Sequence, residues 1–264
     1  MIPKAFIVAW RQFAPWISDA QVEQDLIMSR AIVALFENRI VSKTAAFRGG
    51  TALHKLYFKP ARRYSEDVDL VQITSGAIGP LSDAIQESLT PFLGVPRRKQ
   101  TEGAFTLTYR MDSEGPPVVP MKLKIEINTR EHFAVTGIQK KSFTVESRWF
   151  SGGSKITTFN LEELLCTKVR ALYQRRKGRD LFDLWLGLTE GQAKPITIVK
   201  VFDHYMKSEG HRILKRDFEK NLKEKMEHPG FLRDLNGLLP ADVHYDIHEA
   251  YALVLKEIIN RLSK

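Results

Sequence analysis

Two carboxylates, Asp67 and Asp69, stand two residues apart in the stretch SEDVDLVQI and are well suited to chemistry. The apolar residues around them are typical of a β-strand, where residues i and i+2 point to the same face. Two carboxylates held on one face repel each other unless a cation lies between them. Hard cations with oxygen ligands, Mg²⁺ above all, fit that arrangement. The alternative is a strand end that carries two solvated acids.

A glycine pair, Gly49-Gly50, precedes these acids in the sequence. Glycine lets the backbone approach a ligand closely, because no Cβ stands in the way. Residues Thr51 to Leu56 predict the first turns of a helix, which Thr51 would cap and whose free N–H groups would face a phosphate. A glycine pair alone is typical of a turn. Followed by the two acids, it favours a site for a nucleotide and a metal ion.

A third acid lies on the clearest alternating strand of the chain, MKLKIEINTR, residues 121–130. Its apolar residues would share one face, and Glu126 would lie on the other with lysines. If this strand neighbours the strand of Asp67 and Asp69, Glu126 can join their site. The alternative is a solvated face of paired lysines and acids.

A lysine interrupts the apolar stripe of a helix that Asn160 is expected to cap, LEELLCTKVRALYQRR. Lys168 falls where the pattern requires an apolar residue, so it needs an anionic partner or a route to solvent. The next helix carries Asp183 among apolar residues, and a short turn joins the two helices, so these side chains can meet. Asp180 is well placed as the N-cap of that second helix. A structural salt bridge between Lys168 and Asp183 is the alternative to a catalytic role.

These motifs together resemble a known family. The glycine pair with TAL, followed by SEDVDL, resembles motif I of the DNA polymerase β-like nucleotidyltransferases, and more narrowly the AbiEii toxins of type IV toxin–antitoxin pairs. That superfamily usually has Gly-Ser at the helix start, whereas this chain has Gly49-Gly50 followed by Thr51. The pattern KxxALYxR followed by RDLFDLW resembles motifs III and IV of the AbiEii family.

The resemblance implies a role for each matching residue. The metal ligands would be Asp67, Asp69 and Glu126, and Glu126 would also activate the attacking hydroxyl. Lys168 and Asp183 match the functional lysine of motif III and aspartate of motif IV, with Asp180 as the alternative acid. Nucleotide binding would fall to Gly49, Gly50, Thr51, Ser65 and Lys168.

Composition bounds the class of protein. The chain of 264 residues carries a net charge of +9, which favours polyanionic partners. A single cysteine, Cys166, cannot form an internal disulfide and fits a reducing compartment. The sequence contains neither an apolar run long enough for a membrane span nor the apolar core of a signal peptide. We therefore expect a cytoplasmic protein.

The predicted fold is α/β: a nucleotidyltransferase core with a mixed sheet and flanking helices, followed by a helical C-terminal region. The core would span residues 1–158, and residues 159–264 would carry Lys168 and Asp183 to the site. Helices are predicted at 3–15, 20–38, 51–57, within 76–94, from 161, and at 195–207, 215–227 and 243–262. Strands are predicted at 66–73, 95–100, 104–111, 121–130, 142–149 and 155–158, with Ser151-Gly152-Gly153 separating the last two.

The sequence thus predicts a Mg²⁺-dependent nucleotidyltransferase toxin, with Mn²⁺ as an alternative metal. It would transfer a nucleotide from an NTP to an acceptor such as the 3′ end of a tRNA, and a neighbouring antitoxin would be its partner. The alternatives are a small-molecule nucleotidyltransferase, a metal-dependent nuclease, and a nucleic-acid-binding protein without catalysis. Aminoglycoside-like acceptors are cationic and favour acidic clefts, so the net charge of +9 argues weakly against a small-molecule transferase. Nucleases often place acid-x-Lys on one strand, and the order here is the reverse, Lys124-x-Glu126.

Overall fold

The structure is a computed structural model that describes residues 2–115 and 117–263. The chain divides into two compact units. The first extends to residue 134 and includes residues 138–159, and the second comprises residues 135–137 and those from 160 onward. The first unit holds the sheet, and the second is helical.

The first unit is built on a mixed sheet with the strand order β3-β4-β5-β2-β1-β7-β6. β2 pairs in parallel with β5 and antiparallel with β1, and β1 pairs in parallel with β7. This mixed sheet confirms the predicted fold class. The strands are β1 (Ala45–Arg48), β2 (Asp67–Gln72), β3 (Arg97–Thr101), β4 (Ala104–Asp112), β5 (Pro120–Asn128), β6 (Ile138–Glu146) and β7 (Ser151–Phe159).

Alternation along the strands decides which face of the sheet is buried. Leu123, Ile125 and Ile127 of β5 are fully buried, as are Leu107 and Tyr109 of the neighbouring β4. These residues share one face because directly paired residues point the same way. The polar residues of β4 and β5 therefore lie together on the opposite face.

The helices of this unit are α1 (Lys4–Trp10), α2 (Asp19–Glu37), α3 (Arg39–Thr44), α4 (Gly49–Leu56) and α5 (Gly79–Leu93). Ser18 caps α2: its hydroxyl accepts from the Gln21 backbone N–H, and the Gln21 side chain accepts from the Ser18 N–H. This reciprocal capping box explains why the helix begins where the sequence predicts.

Several sequence-based boundaries differ from the structure. The sequence analysis missed α3 and β1, and α1 ends at Trp10 instead of residue 15. Ser151, Gly152 and Gly153 lie inside β7, so the predicted separator is wrong; residues 147–150 connect the two strands. Pairing with β6 holds Ser151, Gly152 and Gly153 in an extended conformation. The low β-propensity of glycine and serine disfavours a strand at these positions, but hydrogen bonding to β6 stabilises one.

The second unit contains α6 (Leu161–Gln174), α7 (Gly178–Thr189), α8 (Pro195–Ser208), α9 (Lys215–Met226), α10 (Pro229–Leu232) and α11 (Ile247–Glu257). Asn160 caps α6 by accepting the Glu163 N–H, as predicted. α11 is shorter than expected from the pattern over residues 243–262, because a separate turn at 259–261 follows it. Within the part of the chain that the structure describes, no helix is both long and apolar enough to cross a membrane.

Candidate active site

The two acids of β2 lie at the centre of the candidate site. Asp67 and Asp69 begin this strand and share one face, as the sequence predicts. Antiparallel pairing places Arg48 of β1 opposite Asp69. Since α4 starts directly after Arg48, the same pairing brings the start of that helix to the acids.

Gly49 is in direct contact with the side chain of Asp69. A Cβ on Gly49 would lie 2.0 Å from Asp69 Oδ2, and the glycine has a φ of +81°. Any other residue would both clash with the carboxylate and adopt a strained backbone conformation. The glycine is therefore what allows the helix start and the carboxylate to adjoin.

Gly50 makes room for a different group. A Cβ there would lie 2.3 Å from Nη2 of Arg63, whose side chain is 2% exposed. Arg63 Nη1 donates to the carbonyl oxygen of Tyr64 at 3.0 Å. The loop between α4 and β2 thus buries a guanidinium against the helix start.

Thr51 has a role other than the predicted one. α4 begins at Gly49 with Arg48 as N-cap, so Thr51 lies inside the helix and does not cap it. Its buried hydroxyl donates to the backbone oxygen of Asp67 at 2.5 Å and lies 2.8 Å from the Ser65 hydroxyl. The prediction failed because β1 ends directly in the helix, and the Thr51 hydroxyl instead ties α4 to the start of β2.

Glu126 lies beside the two acids, on a neighbouring strand. In the parallel pairing of β2 with β5, Asp69 is opposite Glu126 and Asp67 is opposite Lys124. The two strands are neighbours, which is the condition for Glu126 to join the site. Lys124 Nζ forms an ion pair with Glu126 on the same strand. Four charged side chains therefore share one patch of the sheet.

The electrostatics of this patch favour a bound cation. Burial, and then the negative charge of Asp69, raise the pKa of Asp67 to about 6; Lys124 opposes this shift. Burial lowers the pKa of Lys124, but its hydrogen bond to Glu126 and the nearby acids outweigh burial and raise it. Lys124 therefore stays charged, yet the negative charge around Asp67 is incompletely balanced. A divalent cation would supply the missing charge.

The donor set fits a magnesium ion that the substrate helps to coordinate. Among residues 2–115 and 117–263, no group of three or more His, Cys, Asp or Glu side chains is arranged to hold a metal ion. Asp67 and Asp69 nevertheless provide adjacent oxygen donors. Mg²⁺ is usually bound by one or two carboxylates together with substrate phosphates and water. Glu126 as a third ligand stays a prediction, since it is paired with Lys124.

A buried network on the other side of α4 was missed by the sequence analysis. Lys55 of α4 forms an ion pair with both carboxylate oxygens of Asp25 in α2, at 2.7 Å each. The indole nitrogens of Trp10 and Trp16 donate to the same carboxylate at 2.8 and 3.0 Å. Asp25 is 1% exposed, so this network holds α4 against α2. The only signal in the sequence was an acid within an apolar helix.

The second unit contains the predicted meeting of Lys168 with Asp183. Lys168 Nζ lies 2.9 Å from Asp183 Oδ2 and 3.3 Å from Asp180 Oδ1. Both aspartates are fully buried, and Lys168 is 5% exposed. The lysine on the apolar stripe is thus satisfied by two acids of the next helix.

Asp180 is not the N-cap of α7, contrary to the prediction. The helix begins at Gly178 with Lys177 as N-cap, and Asp180 lies in its first turn. Its carboxylate accepts from Arg175 Nε and Nη2 at 2.7 and 2.8 Å. Burial opposes ionisation, but Lys168 and Arg175 outweigh it and lower the pKa of Asp180. Because Lys168 and Arg175 both lie close to Asp180, its carboxylate forms ion pairs with them instead of capping the helix.

Comparisons with known proteins identify the family and the fold. A family model described as Nucleotidyl transferase AbiEii toxin, Type IV TA system, matches residues 30–253. A protein from H. pylori assigned as a nucleotidyltransferase shares the fold with a TM-score of 0.59 and 19% identity, covering 91% of this chain and 94% of that chain. MenT4, a nucleotidyltransferase toxin from Mycobacterium tuberculosis H37Rv, aligns over 100% of both chains with a TM-score of 0.49 and 12% identity. No curated protein matches the sequence.

Proposed function

The chain belongs to the AbiEii family of nucleotidyltransferase toxins, and from this premise we propose that it transfers a nucleoside monophosphate from an NTP to RNA, such as the 3′ end of a tRNA, with Mg²⁺ as the metal. The observation that carries this proposal is the contact between Gly49 and Asp69. This contact supports a single binding site in which one substrate touches both a helix N-terminus and a pair of carboxylates. A triphosphate with its metal needs both groups.

The start of α4 would bind the triphosphate. The backbone N–H groups of Gly49, Gly50 and Thr51 have no partner in the preceding helical turn, and the positive end of the helix dipole favours phosphate. Ser65, whose hydroxyl lies beside that of Thr51, would complete this part of the site. Asp67 and Asp69 would hold Mg²⁺, which when bound supplies positive charge to the phosphate oxygens.

Glu126 would take the proton from the acceptor hydroxyl. The acceptor oxygen then forms a bond to the α-phosphorus, the bond from that phosphorus to the bridging oxygen breaks, and pyrophosphate leaves. Lys124, which forms an ion pair with Glu126, would orient this carboxylate before the proton transfer.

We also propose, from the resemblance, that Lys168 and Asp183 contribute to turnover. Lys168 would supply positive charge to the phosphates, and Asp183 would orient it. The ion pair of 2.9 Å between them is consistent with an orienting role for the acid. A structural salt bridge would have the same contact, and the activity of the double variant Lys168→Met/Asp183→Leu separates the two roles.

A toxin of this kind implies a partner. We propose a cognate antitoxin encoded next to the toxin gene, and we place the toxin in the cytoplasm, where NTPs and tRNA are found. The measurement is growth of cells that express the chain with and without the neighbouring gene. Growth inhibition that the neighbouring gene does not relieve would contradict this partner.

The experiment for the reaction uses purified protein, Mg²⁺ and each α-³²P-labelled NTP in turn, with total tRNA as acceptor. We expect label on RNA with one or more NTPs, and its loss in Asp69→Ala. Label on protein would indicate a protein acceptor. RNA that is shortened and carries no label would overturn the transferase proposal in favour of a nuclease.

A further inference from the structure

The acids of β2 lie at one end of two rows of side chains that cross the sheet. The first row runs from Asp67 through Lys124 and Thr108 to Arg97, and the second runs from Asp69 through Glu126 and Thr106 to Lys99. Residues paired across adjacent strands point to the same face. We call this surface the polar sheet face; it consists of these two rows with Arg110 and Lys122 beside them.

The polar sheet face is open to solvent at its outer part. Every residue of β3 is exposed, and so are Arg110 and Lys122, while Thr106, Thr108 and Lys124 are half-buried. The opposite face of the same strands is apolar and buried, as Leu107 and Ile125 show. The exposure therefore belongs to one face of the sheet.

The outer cations of this face are not held in ion pairs within the described part of the chain, although Glu66 and Asp112 lie beside Arg110 and Lys122. Among the residues that the structure describes, no carboxylate forms an ion pair with Arg97, Lys99, Arg110 or Lys122. Arg110 and Lys122 are paired directly across β4 and β5, an arrangement of like charges that is destabilising. Such clustering is favourable when an anion binds over it.

The distances identify an extended anion. Each step between strands is about 4.8 Å, so Arg97 and Lys99 lie about 14 Å from Asp67 and Asp69. A small acceptor at Glu126 would leave these distant cations unused. An RNA strand whose reacting end lies at the acids would continue over the threonine hydroxyls to them, since hydroxyls, Lys and Arg are common partners of phosphate and sugar.

We propose that the polar sheet face binds the sugar–phosphate backbone of the RNA acceptor, which runs from the acids of β2 across β5 and β4 to the edge strand β3. This inference rests on the proposed function and adds the path of the acceptor. The path predicts that RNA binding is sensitive to salt and to the charges of Arg97 and Lys99.

The test compares two charge reversals on one strand. Arg98, between Arg97 and Lys99, faces the other side of the sheet, where its guanidinium donates to Gln86 at 2.6 Å. Arg97→Glu/Lys99→Glu reverses two charges on the polar sheet face. Arg98→Glu/Lys140→Glu makes the same change in net charge away from it, because Lys140 is exposed on β6, the opposite edge of the sheet.

Binding of the full-length proteins to a single-stranded RNA oligonucleotide is measured by fluorescence anisotropy at several salt concentrations. We expect Arg97→Glu/Lys99→Glu to weaken binding roughly ten- to hundredfold at low salt, and the salt slope to fall by about 1.4, the value for two lost phosphate contacts on a single strand. The control should stay within about threefold of wild type, because its reversed charges lie off the path. Thermal melting confirms that both variants fold.

Equal affinity of the two double variants would overturn the proposed path. In transfer assays the KM for RNA should rise in Arg97→Glu/Lys99→Glu, while the KM for NTP stays unchanged. Wild-type protein that labels no RNA would overturn the proposed function alone. Binding that depends on Arg97 and Lys99 would still support the path.

Discussion

The acids of β2 and those of α7 differ in how their surroundings affect ionisation. Burial and the charge of Asp69 raise the pKa of Asp67, whereas Lys168 and Arg175 outweigh burial and lower the pKa of Asp180. In one cluster, burial and a neighbouring carboxylate disfavour the ionised form of Asp67 beside a helix N-terminus. The other is neutralised within its own unit. A buried carboxylate whose ionisation is disfavoured is a candidate ligand for a cation, and neutralised charge alone does not distinguish catalysis from structure.

The largest expected effect concerns the neutralised cluster. Lys168→Met leaves two fully buried aspartates with less positive charge, and we expect the free energy of unfolding to fall by about 3–5 kcal/mol. Chemical denaturation measures this loss. Replacing both partners, in Lys168→Met/Asp183→Leu, should restore most of the stability, because a buried pair exchanged for apolar residues is often neutral.

The double variant also separates the two roles of Lys168. If Lys168 acts in turnover, the refolded double variant transfers no label to RNA although it melts like wild type. Full activity in that variant would show that the pair is structural, and it would contradict our assignment.

The acids of β2 should show the reverse pattern. In Asp69→Asn we expect nucleotidyl transfer to fall about a hundred- to a thousandfold, in the range seen when a group that stabilises transition-state charge is removed. The melting temperature of Asp69→Asn without metal should change little, because the side chain keeps its size and its repulsion of Asp67 is removed. A large loss of stability would mean that Asp69 is as structural as Asp180.

A smaller effect is expected where the helix start meets the acid. In Gly49→Ala the added Cβ meets Asp69 and the φ of +81° becomes strained, so we expect a loss of about 1–3 kcal/mol in unfolding free energy, with weaker NTP binding. Gly94→Ala is the matched control, since its φ of +77° is similar and a Cβ there meets nothing within 4 Å. Similar losses in both variants would show that the contact with Asp69 has no special role.

An effect of similar size is expected in the dependence of stability on pH. The folded pKa of Asp67, about 6, lies above its unfolded value, so its contribution to stability is complete below the unfolded pKa and is lost as pH rises through 6. Without metal, we expect wild type to lose about 2 kcal/mol between pH 4 and 7 relative to Asp67→Asn, with the partial exposure of Asp67 taken into account. Chemical denaturation at several pH values measures this difference. A difference in unfolding free energy between the two proteins that stays constant from pH 4 to 7 would contradict the raised pKa of Asp67.

The sequence by itself determined the local parts of this protein. The spacing of Asp67 and Asp69 places both on one face of a strand, and the alternation around Glu126 predicts its strand and its buried face. The stripe of α6 placed Lys168 among apolar residues, so a partner was required. These inferences succeeded because helix and strand periods are properties of neighbouring residues.

The tertiary structure alone decided how these parts meet. Three contacts join residues from different elements: Asp69 with Glu126, Gly49 with Asp69, and Lys168 with Asp180. The last of these makes Asp180 an ion-pair partner instead of a helix cap. The missed strand β1 is four residues long and is held by β2 and β7 on either side. Such choices depend on competing partners in three dimensions, and no local pattern records which partner wins.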